Sequence, residues 1–146
     1  YSGGGDFDMA TGVFEFADSA QRYEFGTVPV SLFHGLSEAM GFLLDLGMDR
    51  VWERTHYLGT RLMAGLRDVG ANVISPKAAA ENSGIVTFRV EGKTRQELQS
   101  YLAKDHKIRS RGIYEGGLDA LRVAPHIYST SADVDRVVEA VEALTA

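Results

Sequence analysis

Cysteine is absent from the chain, which removes three chemistries at once: a disulfide framework, a cysteine-ligated zinc site and a thiolate nucleophile. The same absence fits a cytoplasmic protein, and a cytoplasmic location is the expectation. No apolar run approaches the length of a membrane-spanning helix. The opening residues Tyr1-Ser2-Gly3-Gly4-Gly5 have neither the basic start nor the apolar core of a secretory signal. An initiator methionine is missing too, so a piece of a longer polypeptide is expected. Excess positive charge is also lacking. Fifteen Lys and Arg stand against 20 Asp and Glu, a net charge of −5 with no basic stripe, which argues against a nucleic-acid binder. His34, His56, His106 and His126 are dispersed without metal-ligand spacing and read as structural or surface residues. Gly-x-Ser-x-Gly, P-loop and dinucleotide-binding fingerprints are all missing.

What is present describes a globular chain. Its 146 residues are 45% hydrophobic and 24% charged. That is one domain or a little more, large enough to bury roughly two-thirds of its unfolded surface. Residues 1–28 read as an arm. Gly3-Gly4-Gly5 permits close backbone approach to a ligand or another chain. Met9 to Phe16 reads as a strand, and Gln21–Phe25 as a second extended segment. A helix from Pro29 to about Leu46 follows, apolar on nearly every side through Val30, Leu32, Phe33, Leu36, Met40 and Phe42. Its only charges are Glu38 and Asp45, so an interface with another domain or subunit is expected to cover it.

Beyond Gly47 the pattern alternates. Asp49 to Val69 is an amphipathic helix with Val51, Thr55, Leu58, Leu62 and Leu66 as its stripe and Arg54, Arg61 and Arg67 facing water. Gly70 is its left-handed stop. Val73-Ile74-Ser75 is a short strand, 76–83 a loop, and Gly84–Val90 a strand with Val86, Phe88 and Val90 on one face. Thr94 to Glu97 is a capping box opening a helix that turns Leu98, Tyr101 and Leu102 inward. Lys107–Arg109 is a strand and Ser110–Gly117 a glycine-containing loop. Leu118–Ala124 is a strand stopped by Pro125, and Thr130 to Asp133 caps a last helix carrying Val134, Val137, Val138, Val141 and Leu144. The expected fold is α/β: a two-layer small domain with a mostly antiparallel sheet and helices on one face.

Two places have the makings of a binding site. On period two, Leu118, Ala120, Arg122 and Ala124 share one face of their strand, leaving space beside the guanidinium of Arg122. Such an arginine grips a carboxylate or phosphate in a forked geometry, or else reaches solvent from an edge strand. Gly26-Thr27, just ahead of a helix, offers free backbone N–H groups, the positive end of the dipole and a hydroxyl. That combination suits an oxyanion, or serves as a simple cap.

Three blocks, Gly3-Gly4-Gly5-Asp6, Arg22-Tyr23-Glu24-Phe25-Gly26-Thr27 and Arg122 to Thr130, then resemble, in order and approximate spacing, the C-terminal small domain of class V aminotransferase-like enzymes. This is the fold-type I pyridoxal 5'-phosphate (PLP) family of cysteine desulfurases, selenocysteine lyases and isopenicillin-N epimerase-like enzymes. Gly3-Gly4-Gly5-Asp6 resembles the family's triglycine loop. Arg22-Tyr23-Glu24-Phe25-Gly26-Thr27 resembles its Arg-Phe-Glu-x-Gly-Thr, and Arg122 to Thr130 its Arg-x-Ser-x-x-x-Tyr-Asn-Thr. The resemblance covers essentially the whole chain.

It implies that Thr27 and the Gly26 backbone reach the PLP phosphate of a partner subunit across a homodimer interface. It also implies that Arg122 clamps the α-carboxylate of an amino-acid substrate, and that Arg109 begins an active-site loop and joins the substrate contacts. Residues 1–28 would connect to a missing large domain, and 29–146 would be the small domain. Two departures accompany the match. The loop 110–117, where cysteine desulfurases carry their nucleophilic cysteine, holds Tyr114 and Glu115, which leaves transamination, epimerisation or C–S lysis open. The Schiff-base lysine belongs upstream; His106-Lys107 sits in a helix-to-strand link with no Gly-Pro after it. No catalytic residue is therefore expected in this chain, and by itself it should be inert. The alternative is a non-enzymatic α/β module that binds a ligand or assembles a larger complex.

Overall fold

The computed structural model describes residues 5–23, 26–27, 29–78 and 81–145. The chain divides into two compact units, residues 1–45 and 46–146.

In the first unit, strands β1 (Asp6–Phe7) and β2 (Phe14–Glu15) pair as an antiparallel hairpin. Asp8 shapes its turn: one carboxylate oxygen accepts from the Ala10 N–H at 2.8 Å and the other from the Thr11 hydroxyl at 2.7 Å. A side chain on Gly5 would run into the Glu15 carbonyl, so this glycine of the triglycine run serves the hairpin itself. Gly3 and Gly4 lie outside the described residues. The strand expected over 9–16 is shorter, because residues 9–11 are turn. The extended segment expected at 21–25 is a 3-10 turn over Ala20–Tyr23, with Glu24 and Phe25 outside the described residues. Helix α1 (Val30–Leu46) forms where its apolar run predicts, and none of its residues is buried; Val30 is 73% exposed and Leu32 70%.

The second unit is a two-layer α/β arrangement. Helix α2 (Met48–Asp68) leads to β3 (Asn72–Val73), β4 (Val86–Arg89), helix α3 (Arg95–Lys104), β5 (Arg111–Ile113), β6 (Ala120–Val123) and helix α4 (Ser131–Thr145). The sheet runs β3-β4-β6-β5, antiparallel at every pairing. Val86 and Phe88 of β4 and Leu121 of β6 close one core with Leu58, Leu62 and Leu66 of α2, Leu98 and Leu102 of α3, and Val134, Val137 and Val141 of α4. Each fully buried side chain of this size contributes about 1.5–3 kcal/mol. All three helices thus cover one sheet face, as the alternating pattern predicts.

Local signals account for the joints. α2 ends in a Schellman motif: Gly70 at φ 83° donates to the Arg67 carbonyl, and Ala71 donates to that of Leu66. α3 starts with the full capping box of Thr94 and Glu97, and α4 with Thr130 and Asp133 bonded reciprocally. Buried Asn82 accepts from the Gly84 N–H at 2.8 Å and donates to the Thr60 hydroxyl, holding the loop before β4 on α2. Three readings change. Residues 107–109 are not strand, since Lys107 sits at φ 56° in the turn after α3. Ser110–Gly117 is not all loop but contains β5 and a 3-10 turn over Glu115–Gly117. Arg54 is half-buried, its guanidinium donating to the Ser129 carbonyl at 2.8 Å and fixing the chain after β6.

Candidate functional site

Strand β6 lies between β4 and β5, so Arg122 stands on an inner strand and not at an edge. Phe88 opposes Leu121 on the helix-covered face, which puts Arg122 on the other face, opposite Thr87 of β4 and Arg111 of β5. Arg122 as a residue is half-buried, and among the described residues its guanidinium makes no hydrogen bond or ion pair. Its backbone is held by ladders on both sides. A charged head group with no partner among the described residues, on a strand laddered on both sides, is available to an external anion.

Arg111 is its cross-strand neighbour, and directly opposed residues of this kind have Cβ atoms about 4.5–5.5 Å apart. One Nη of Arg111 donates to Glu115 Oε1 at 2.7 Å, and the Tyr114 N–H donates to Glu115 Oε2 at 3.0 Å. Backbone N–H donors of Glu115 and Tyr114, with the Arg111 charge behind them, hold the Glu115 carboxyl below its ordinary range. The turn carrying Glu115 is tied down from α3. Arg95 lies 5.1 Å from the Tyr114 ring centroid and 3.3 Å from a carboxylate oxygen of Asp119. Gly116 and Gly117, at φ 63° and 76°, supply the backbone conformation that the turn needs.

Arg109 is exposed and lines a different hollow, an open cleft of about 290 Å³ shared with Lys107, Tyr128, Asp133 and Arg136. Val123 and Val137 form its apolar floor, and Arg122 is not among its lining residues. The structure therefore brings Arg111, not Arg109, beside Arg122. Arg111 lay inside a stretch read as loop; the signal that could have found it is the alternation of Arg111 and Ile113 around Gly112, three residues that make a strand too short to stand out.

In the first unit, Gly26 has φ 71°, and Thr27 is exposed three residues before α1. The first turn of α1 has no acidic residue, and its Leu32 and Phe33 N–H groups both turn to the Pro29 carbonyl. The Thr27 hydroxyl has no partner among the described residues. This chemistry fits a phosphate group. Lys107 does not fit the lysine that a PLP enzyme requires, because its ammonium is turned back onto the Lys104 carbonyl at 2.7 Å, at the end of α3. Among the described residues no cluster of His, Asp and Glu could hold a metal ion, and no described helix is long and apolar enough to cross a membrane.

A two-layer α/β unit with an antiparallel sheet carries Arg111 and Arg122 side by side on the sheet face turned away from its three helices. Residues 1–137 match the model of the family Aminotransferase class-V, and the chain belongs to that family. It is 27% identical to a probable cysteine desulfurase of Ureaplasma parvum over 97% of its own length and 37% of the relative's. It is 26% identical to another from Streptomyces coelicolor, over 87% of this chain and 32% of that one. The apo cysteine desulfurase of Thermococcus onnurineus superposes with a TM-score of 0.79 at 21% identity, covering 96% of this chain and 36% of that one. An Escherichia coli cysteine desulfurase gives 0.73 at 24% identity, covering 95% and 36%. The chain thus spans about a third of the length of the relatives it matches.

Proposed function

We propose that this chain is the C-terminal small domain of a homodimeric, PLP-dependent enzyme acting on an amino acid by transamination, epimerisation or C–S lysis. In this reading residues 1–28 are the connecting arm and 29–146 the small domain, a preceding large domain supplies the reactive lysine, and the assembly is cytoplasmic. The chain alone then has no activity. The exposed apolar surface of α1 supports an interface with that domain or with the partner subunit. PLP, when bound, supplies the electron sink for charge developing at the substrate α-carbon.

This chain's residues bind and orient. Gly26 and Thr27 offer N–H and hydroxyl donors to the cofactor phosphate. Arg122 receives the α-carboxylate, and its fixed backbone sets which α-carbon bond faces the cofactor. Arg109 contributes from its neighbouring cleft to substrate contacts. A persulfide carried on a cysteine is not open to these 146 residues, since none is cysteine and the loop before β6 holds Tyr114 and Glu115.

The observation that supports this reading is Arg122, without a side-chain partner among the described residues, on an inner strand beside a second arginine. Charge-assisted hydrogen bonds contribute about 1.5–3 kcal/mol. In the intact enzyme Arg122→Ala is therefore expected to lower kcat/KM for its amino acid about 10- to 100-fold with PLP still bound. An unchanged kcat/KM would remove the carboxylate role.

A further inference from the structure

Arg111 and Arg122 oppose each other directly on one face of the sheet, where like charges repel across the ladder. Two free guanidinium groups so close would suit two carboxylates at once, the α-carboxylate and the side-chain carboxylate of a dicarboxylic amino acid. They are not both free. Glu115 sits on Arg111 at 2.7 Å, with its second oxygen held by the Tyr114 N–H. Tyr114 is in turn packed against Arg95, which keeps the carboxylate in place from the α3 side. Of the two, Arg122 is the one without a side-chain partner among the described residues.

We infer that Glu115 is a specificity-determining residue of this site: a resident carboxylate that neutralises Arg111 and so selects amino acids with uncharged side chains over dicarboxylic ones. The inference rests on Arg122 being the α-carboxylate clamp. Glu115 acts in two ways. It removes the second cation that a side-chain carboxylate would need, and its own negative charge repels such a group. Arg111 and Glu115 are both about half exposed, so ionic strength screens the effect.

The test uses the intact PLP-loaded enzyme and two probes, L-alanine and L-aspartate, with dissociation constants read from the change in the cofactor's absorption. Glu115→Gln keeps the size and much of the hydrogen bonding while removing the charge. It is expected to tighten L-aspartate about tenfold, with L-alanine changed less than twofold. Adding Arg111→Ala to it should abolish the gain, and raising the salt should shrink it. A preference between the two probes unchanged in both Glu115→Gln and Glu115→Ala overturns the inference. Arg122→Ala separates the two levels. If it weakens both probes while the Glu115 variants leave the preference flat, only the role of Glu115 is lost. If it weakens neither, the clamp falls and the inference falls with it.

Discussion

Gly59 offers a sharp test of how α2 sits on the sheet. It is buried in the middle of α2, where glycine costs about 1 kcal/mol relative to alanine. Propensity alone therefore predicts that Gly59→Ala stabilises. The structure predicts the opposite sign. A methyl on Gly59 would lie 2.7 Å from the Gly84 Cα and 3.0 Å from its carbonyl oxygen, and backbone cannot rotate aside as a side chain can. Overpacking of this kind costs about 1–3 kcal/mol, so the net change is a loss of about 0–2 kcal/mol. Gly84→Ala should be worse. At φ 82° a side chain adds about 1–2 kcal/mol of backbone strain, and its Cβ would meet the Thr55 carbonyl at 2.9 Å. The double variant should cost less than the sum, because either methyl already lifts the helix. Native-state amide exchange at Leu62 and Leu66 in the intact protein reads the opening free energy of α2 itself. Protection raised by about 1 kcal/mol in Gly59→Ala would refute the close approach.

Other consequences follow from the same geometry. Phe88, the largest fully buried side chain among the described residues, should cost about 3–5 kcal/mol on change to Ala, visible as a large fall in the urea midpoint at a constant slope. Glu97 and Asp133 have carboxyls held low by the backbone N–H groups of Thr94 and Thr130, respectively. A lowered folded-state pKa means that the caps stabilise fully above the ordinary carboxylate range, and that this is lost as pH falls below about 4. Glu97→Gln should flatten that acid limb in the amide exchange of α3, and an unaltered limb would show that the cap does not titrate. Thr27→Val in the intact enzyme should weaken PLP binding about tenfold, measured by equilibrium dialysis, and an unchanged dissociation constant would remove the phosphate contact.

Signals closed within one turn of chain were legible in the sequence. Thr94 with Glu97, Thr130 with Asp133 and Gly70 after α2 each place a helix end through bonds between residues three to five apart. Strand order was not legible, because it depends on pairings made across dozens of residues. An edge-strand reading of Arg122 therefore stayed open beside the carboxylate clamp, although Thr87 and Arg111 flank it. β5 escaped notice because three residues with a central glycine carry too little alternation, and its pairing with β6 supplies what local propensity lacks. Lys107 read as strand because nothing in its side chain announces a positive φ; the turn there is imposed by the Ile108 N–H reaching back to the Leu102 carbonyl at 2.8 Å.

The two halves of the Arg122 site are built to different tolerances. The arginine belongs to a strand knitted in on both flanks, whereas residues 114–117 form a turn anchored by a few side-chain contacts. A replacement of that turn, in sequence or in length, would leave the anchor where it is. On the proposed function, substrate grip and the choice of what surrounds the substrate can then vary independently. The domain is suited to loop grafting: new groups can be installed on the turn and assayed against an unmoved Arg122, with the register of β5 and β6 as the check that the frame has held.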